Sequence, residues 1–171
     1  KGEVTETTGM LLVSNWSDDF ITEFSYSTKE QLTSQQSPVG QGLPSFTIND
    51  CGAQGIRCAL GPDIFRSANQ LATETTFTKL KGTYYMGNHK FTFGYENKLW
   101  DIYNVFIEAQ DGAYEFEGLA NYQAQIASSF EHQNSRSLTE QGGAAVFEYY
   151  LDSFYIQDEI DISEKLNVLV G

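Results

Sequence analysis

A chain of 171 residues with 23 acidic against 10 basic side chains has a net charge of −13 and a pI near 4.3. That balance opposes binding to nucleic acid or to an anionic membrane surface. Aromatic residues reach 14%, with ten Tyr and twelve Phe, which leans towards strands, and no apolar run exceeds about five residues, far short of the roughly twenty that a spanning helix needs. Membrane-crossing strands carry a much weaker signal and stay open. The length suits one domain or part of one.

The chain opens with KGEVTETTG, with neither an initiator methionine nor an apolar leader, so processing or a chosen start is expected to set that end. Strands then announce themselves by a period of two. The first hairpin is expected near 10–29, with residues 10–16 and 20–29 joined through Ser17, Asp18 and Asp19. Phe20, Thr22, Phe24 and Tyr26 share an oily face, and Glu23, Ser25, Ser27 and Lys29 share a wet one.

A long connection, 30–75, follows. Its QQSPVGQGLPS stretch is turn-rich and reads as mobile, and SFTIND reads as a short strand leading into DCGAQGIRC. Cys51 and Cys58 lie close enough to close a small loop, without a nearby His. They read as a disulfide in an oxidising compartment, with two free thiols as the alternative. Zinc finds no support, because His89 and His132 lie far from the pair and no four-ligand spacing occurs.

The second hairpin is expected near 76–99, turning at 87–89. Leu80 and Tyr84 oppose Lys79, Lys81 and Thr83, then Phe91, Phe93 and Tyr95 oppose Lys90, Thr92 and Glu96. In the second long connection, 100–151, NVFIEAQDGAYEF predicts a hairpin around Asp111 and Gly112. Leu119, Tyr122 and Ile126 fall at the spacing of one short amphipathic helix, and 131–143 reads as a polar loop. The third hairpin is expected near 152–171, turning at 163–165. There Phe154, Ile156, Ile160 and Ile162 alternate with Tyr155, Gln157, Glu159 and Asp161, and Asp158 interrupts the apolar row.

Tight turns thus alternate with connections of roughly forty to fifty residues, long for a compact domain. An outer-membrane barrel gives this order a cause, because minimal turns sit on one side of the bilayer and large surface loops on the other. A closed barrel also lets strands satisfy every backbone N–H and C=O in lipid. A soluble antiparallel sheet with one face on a core has the same period, so alternation alone leaves both readings open. The spacing of the connections favours the barrel.

FYIQDEIDISEKLNVLVG, residues 154–171, resembles the strand, turn and strand of TonB-dependent outer-membrane receptors, through Tyr155, Gln157, Asp158, Glu159, Leu166, Val168 and Gly171. In that pattern an Arg and an aromatic residue follow the final Gly, so the resemblance implies a single fragment of a β-barrel domain over 1–171. Two further stretches are similar to the Oar type of these receptors. One runs from Gly61, Pro62, Asp63, Phe65 and Arg66 to Gly94, Tyr95 and Glu96, and the other is DIYNVFIEAQDGAYEFEGLANYQAQIA. The likeness covers roughly 60–127 and 150–171.

It implies an all-β fold of about six antiparallel barrel strands with two long loops and one short helix, in a Gram-negative outer membrane. The parent would take up a large ligand and be driven by TonB through a plug domain that these residues do not include. Its other partner would be outer-membrane lipid. An isolated fragment would self-associate through open edges and an oily face, or collapse with its surface-loop segments covering that face. The rival reading is a soluble secreted β-sandwich binding module, carbohydrate-binding or adhesin-like.

No catalytic residue, metal site or cofactor is expected. Asp158 and Glu159 are neighbours in a strand and point to opposite faces, so they do not readily flank one bond. Asp18 and Asp19 sit in a turn that favours Asp for backbone reasons. Asn49, Asp50 and Asp111 offer hard oxygen donors for calcium, but no ordered Asp-rich loop appears, and solvated charge is the plainer reading. Trp16, Tyr84, Tyr85, Tyr95 and Trp100 lie near strand ends, where they would form interfacial girdles. No residue can be nominated as touching the ligand.

Overall fold

The computed structural model describes residues 2–171. Its elements, in chain order, are β1 (Gly2–Asn15), β2 (Phe20–Ser34), β3 (Ser45–Asn49), β4 (Cys58–Leu60), β5 (Ala68–Met86), β6 (His89–Ile107), β7 (Ala113–Glu117), α1 (Leu119–Gln123), β8 (Ser129–Glu131), α2 (Glu140–Gly143), β9 (Ala145–Ser163) and β10 (Leu166–Val170). A single 3-10 turn covers Ile64–Arg66. The fold is all-β. The six hairpin strands form one sheet in the order β1-β2-β5-β6-β9-β10, and the four strands of the connections form another in the order β4-β3-β7-β8. The three expected hairpins are present, and four of their strands reach further into the connections than alternation suggested. The connections therefore shrink to 35–67 and 108–144.

The chain divides into two compact units. The first holds Thr5–Gln31, Thr73–Ile102 and Phe147–Gly171, the hairpin ends with their tight turns. In it β10 pairs antiparallel with β9, Val168 opposite Ile160 and Val170 opposite Asp158, with an irregularity between Leu166 and Asn167. Two glycines allow rings to lie flat on this sheet. A Cβ on Gly94 would sit 2.5 Å from Tyr155 Oη and 2.8 Å from the Leu80 carbonyl oxygen, and one on Gly82 would enter the Phe93 ring. A large ring over a strand glycine covers the gap its missing side chain leaves.

The second unit holds Leu32–Ala72, Tyr103–Val146 and the first residues up to Val4. All the buried hydrophobic residues described belong to it: Ile48, Ala68, Val105, Ile107, Ala109 and Phe116. Ala68, Val105 and Ile107 pack together with Tyr103 and Ala144 against them. The Gly-Pro-Asp-x-Phe-Arg stretch folds for local reasons. A Cβ on Gly61, whose φ is +85°, would strike the Pro44 carbonyl oxygen. Asp63 then caps the 3-10 turn by accepting from Phe65 N at 2.9 Å, and the Ile64 carbonyl accepts from the buried Ala109 amide at 3.0 Å.

Three expectations for the connections are corrected. Asp111 and Gly112 do not close a hairpin: β7 pairs in parallel with β3 and antiparallel with β8. Ala109 at φ 49° and Gly112 at φ 89° turn the chain instead, and Ser45 N donates to the Gly112 carbonyl at 2.9 Å, starting the pairing with β3. One short helix was expected and two occur. The expected one is the single turn α1, and α2 lies in the supposed polar loop, where Thr139 Oγ1 accepts from Gly142 N at 3.2 Å as an N-cap.

Candidate functional site

In the hairpin unit the two strand faces differ in kind. On the wet face Lys79 reaches Glu96 at 3.1 Å, Lys81 reaches Glu23 at 2.8 Å and Lys90 reaches Glu159 at 3.0 Å. Lys98 lies 5.3 Å from the centre of the Phe77 ring. These half-exposed pairs contribute about 0–1 kcal/mol each and serve mainly to set register and polarity. On the oily face Phe20 packs edge-on to Tyr84 and Tyr95 lies 4.8 Å from Phe154, while Phe91, Phe93 and Ile156 line the same apolar surface.

This face stays uncovered. Phe154 is 80% exposed and Ile156 69%. The candidate girdle splits between faces. Tyr84 and Tyr95 belong to the oily one, whereas Trp100 lies tilted against Tyr149 at 5.2 Å on the wet one, and Tyr85 shares the parity of Lys81. Trp16 stands beside its turn and donates from Nε1 to Thr22 Oγ1 at 2.8 Å.

The carboxylates resolve as strand geometry requires. Asp158 turns to His89 Nδ1 at 2.8 Å on the oily side, and its neighbour Glu159 turns to Lys90 on the other. Asp18 and Asp19 remain in the first turn, where Asp19 N lies 3.3 Å from Ser17 Oγ and the Asp19 carbonyl accepts from Tyr85 N. No two of these carboxylates converge on a common point.

The connection unit carries the other candidate surface. Parallel pairing sets Phe46 beside Tyr114, Ile48 beside Phe116, Thr47 beside Glu115 and Asn49 beside Glu117, and Tyr114 lies opposite Phe130. Alternation therefore gives the small sheet one aromatic face and one acidic face. On the aromatic face Phe46 stacks on Tyr114 at 5.6 Å, Tyr122 of α1 closes edge-on to Phe46 and Phe116, and Tyr114 lies 4.6 Å from Phe130. A cleft of about 560 Å³ opens there, lined by Pro44, Phe46, Tyr114, Phe116, Tyr122 and Gln123 with Gln125 and Ala127. Sequence reasoning missed this surface. Its signal was the alternation in SFTIN and AYEFE, but nothing local pairs strands that far apart.

On the acidic face Asn49 Nδ2 donates to Glu115 Oε1 at 2.8 Å and to Glu117 Oε1 at 2.9 Å, and Ser129 Oγ donates to Glu115 Oε2 at 3.2 Å. The Asn49 bond, then the Ser129 bond, hold the Glu115 carboxyl below its ordinary 4.5. A depressed carboxylate contributes stability that is present above pH 4.5 and lost as the pH falls through its folded value. Asn49→Ala is expected to move this titration back up towards 4.5, read from the pH dependence of the Glu115 side-chain NMR signal. An unmoved titration would discard the assigned cause.

The other two calcium candidates, Asp50 and Asp111, are also engaged. Asp50 Oδ1 accepts from Gly55 N at 2.5 Å, and Asp111 Oδ2 accepts from Gly42 N at 3.1 Å. Among the described residues no three His, Cys, Asp or Glu side chains gather as a metal-ligand set. Cys51 and Cys58 are joined as a disulfide that closes the loop between β3 and β4. No helix is long and apolar enough to cross a membrane, which leaves crossing by strands untouched.

No curated protein and no solved structure matches the chain. A family model described as an outer membrane beta barrel domain matches residues 7–171, nearly all of it. That description puts the family's place in the outer membrane of Gram-negative bacteria. With its antiparallel hairpins, its tight turns and its uncovered oily face, the chain belongs to the outer-membrane beta barrel domain family.

Proposed function

We propose that this chain is a section of the barrel wall, with its surface-loop unit, of a TonB-dependent outer-membrane receptor of the Oar type that takes up a large ligand. The observation that carries this reading is where the apolar residues lie. All the buried ones described are in the connection unit, while the hairpin unit shows its aromatic row outwards. Lipid is the solvent that such a row suits. A soluble sandwich would turn the row into an interior core, so the exposure of Phe154 and Ile156 argues against that alternative.

Strand length adds support. Three strands of 19 residues, at roughly 3.3 Å per residue, are each about 60 Å long. Crossing takes only about 9–11 residues, so much of each strand lies outside the hydrocarbon, as suits a receptor with a large outer surface. The six-stranded sheet is also open, with β1 and β10 as its outer strands, and a closed wall needs further strands between those edges. TonB would act through a plug in another part of the receptor.

Growth of cells with and without the protein, on a panel of single carbon, nitrogen and iron sources, tests the proposal. Loss of one nutrient is expected, and the same nutrient should be lost when TonB is removed. No lost nutrient, or one still used without TonB, overturns it.

A further inference from the structure

The cleft over α1 is built from neutral groups alone. Phe46, Tyr114, Phe116 and Tyr122 supply its rings, and Gln123 and Gln125 supply carboxamides at its rim. The Tyr114 and Tyr122 hydroxyls and both amide side chains bond to no other side chain or backbone group among the described residues, so they remain available to a ligand. The rings are held by one another, with Phe46 touching Tyr114, Phe116 and Tyr122. Rings that already pack on one another have less side-chain freedom to lose on binding.

A second observation marks the rim. Gln125 has φ 59°, a left-handed conformation that a Gln side chain makes unfavourable, and the turn holds it there through Gln125 N to the Tyr122 carbonyl at 3.1 Å and Ile126 N to the Asn121 carbonyl at 2.9 Å. This is the left-handed stop of a short helix, and it fixes where the Gln125 side chain leaves the backbone at the rim.

We infer that this cleft binds a neutral glycan, with sugar rings on Phe46, Tyr114 and Tyr122 and sugar hydroxyls on the amides of Gln123 and Gln125. Charge matching decides the class. A phosphorylated or carboxylated ligand would meet no cation in the lining and a chain of net charge −13 around it, and a cationic one would meet no carboxylate. A pyranose has an apolar C–H face and a rim of hydroxyl groups, the same division as this lining. The inference rests on the receptor reading only in taking this unit as the ligand-facing one.

The test is calorimetric titration of the full protein in detergent micelles with hexasaccharides of α-1,4-glucose, β-1,4-glucose and β-1,4-mannose, beside an uncharged hexapeptide. At least one saccharide is expected to bind. Tyr122→Ala and Gln125→Gly should each weaken it by about tenfold, and Tyr122→Phe should weaken it less than Tyr122→Ala. Gln125→Gly relieves the backbone strain, so it keeps the fold even if Tyr122→Ala does not. Absence of saccharide binding at about 10 mM, binding of the peptide only, or binding that Gln125→Gly leaves unchanged overturns the inference. Because TonB takes no part in this measurement, failure here leaves the transport proposal standing, and a TonB-independent phenotype leaves the glycan site standing.

Discussion

Phe154→Lys is expected to destabilise the protein in lipid bilayers by about 2–4 kcal/mol, whereas Ser153→Lys, its neighbour on the opposite face, changes stability by about 1 kcal/mol or less. The contrast follows from strand parity. Phe154 projects from β9 on the oily side, 80% exposed and tilted against Tyr95 with ring centres 4.8 Å apart. Ser153 shares the wet side with Tyr155, whose ring covers Gly94. A lysine in hydrocarbon must reach for the interface or carry its charge into an apolar medium, and neither course is free.

Magnitude also separates lipid from water as the solvent of this face. In water, a lysine replacing a side chain so exposed would lose little beyond the ring contact with Tyr95, about 0.5–1.5 kcal/mol. Urea unfolding of the protein in phosphatidylcholine vesicles, followed by tryptophan fluorescence, reads both variants. Equal small effects at 153 and 154 would remove lipid from the account of this sheet.

The parts legible in the sequence are those fixed by local periodicity. The rows Phe20, Phe24, Tyr26 and Phe91, Phe93, Tyr95 predicted hairpins that the structure shows, because period two and a tight turn are both written within about twenty residues. The connections were read less well for the same reason. Asp111-Gly112 carries a strong hairpin signal, yet Ala109 is buried and its amide is held by the Ile64 carbonyl, a contact spanning the two connections that no local pattern announces. β7 then meets β3 in parallel, and parallel pairs cannot be joined by a tight turn that would betray them.

The candidate cleft was hidden by that pairing. Phe46 and Tyr114 each looked like one residue of a short alternating stretch, and only their stacking makes a surface. The girdle residues teach the complementary lesson. Proximity to a strand end was visible, but the face of Tyr85 and Trp100 depends on parity carried along a strand from the nearest ion pair, Lys81 with Glu23 or Lys79 with Glu96.

Opening the Cys51–Cys58 bridge, by reduction or by paired Cys→Ser substitution, is expected to cost about 2–3 kcal/mol of local stability, confined to β3 and β4. The two cysteines are seven residues apart, and closing so short a loop in the unfolded chain removes an entropy worth about 2.5 kcal/mol in the chain-entropy treatment. Little else holds β4. It has three residues, paired as Phe46 with Leu60, Thr47 with Ala59 and Ile48 with Cys58. The loop keeps two supports of its own, Cys51 N to the Ile56 carbonyl at 2.9 Å and Asp50 Oδ1 to Gly55 N, so it should loosen without dissolving.

Such a loss appears as local opening and leaves the wall's unfolding untouched. Amide exchange in β3 and β4 should speed up by on the order of 50-fold on reduction, while urea unfolding in vesicles stays where it was. An outer-membrane surface is oxidising enough to keep the bridge closed in the cell. Identical exchange in the oxidised and reduced protein would mean that the Asp50 turn and the pairing with β3 suffice, and that the bridge contributes nothing to this loop's order.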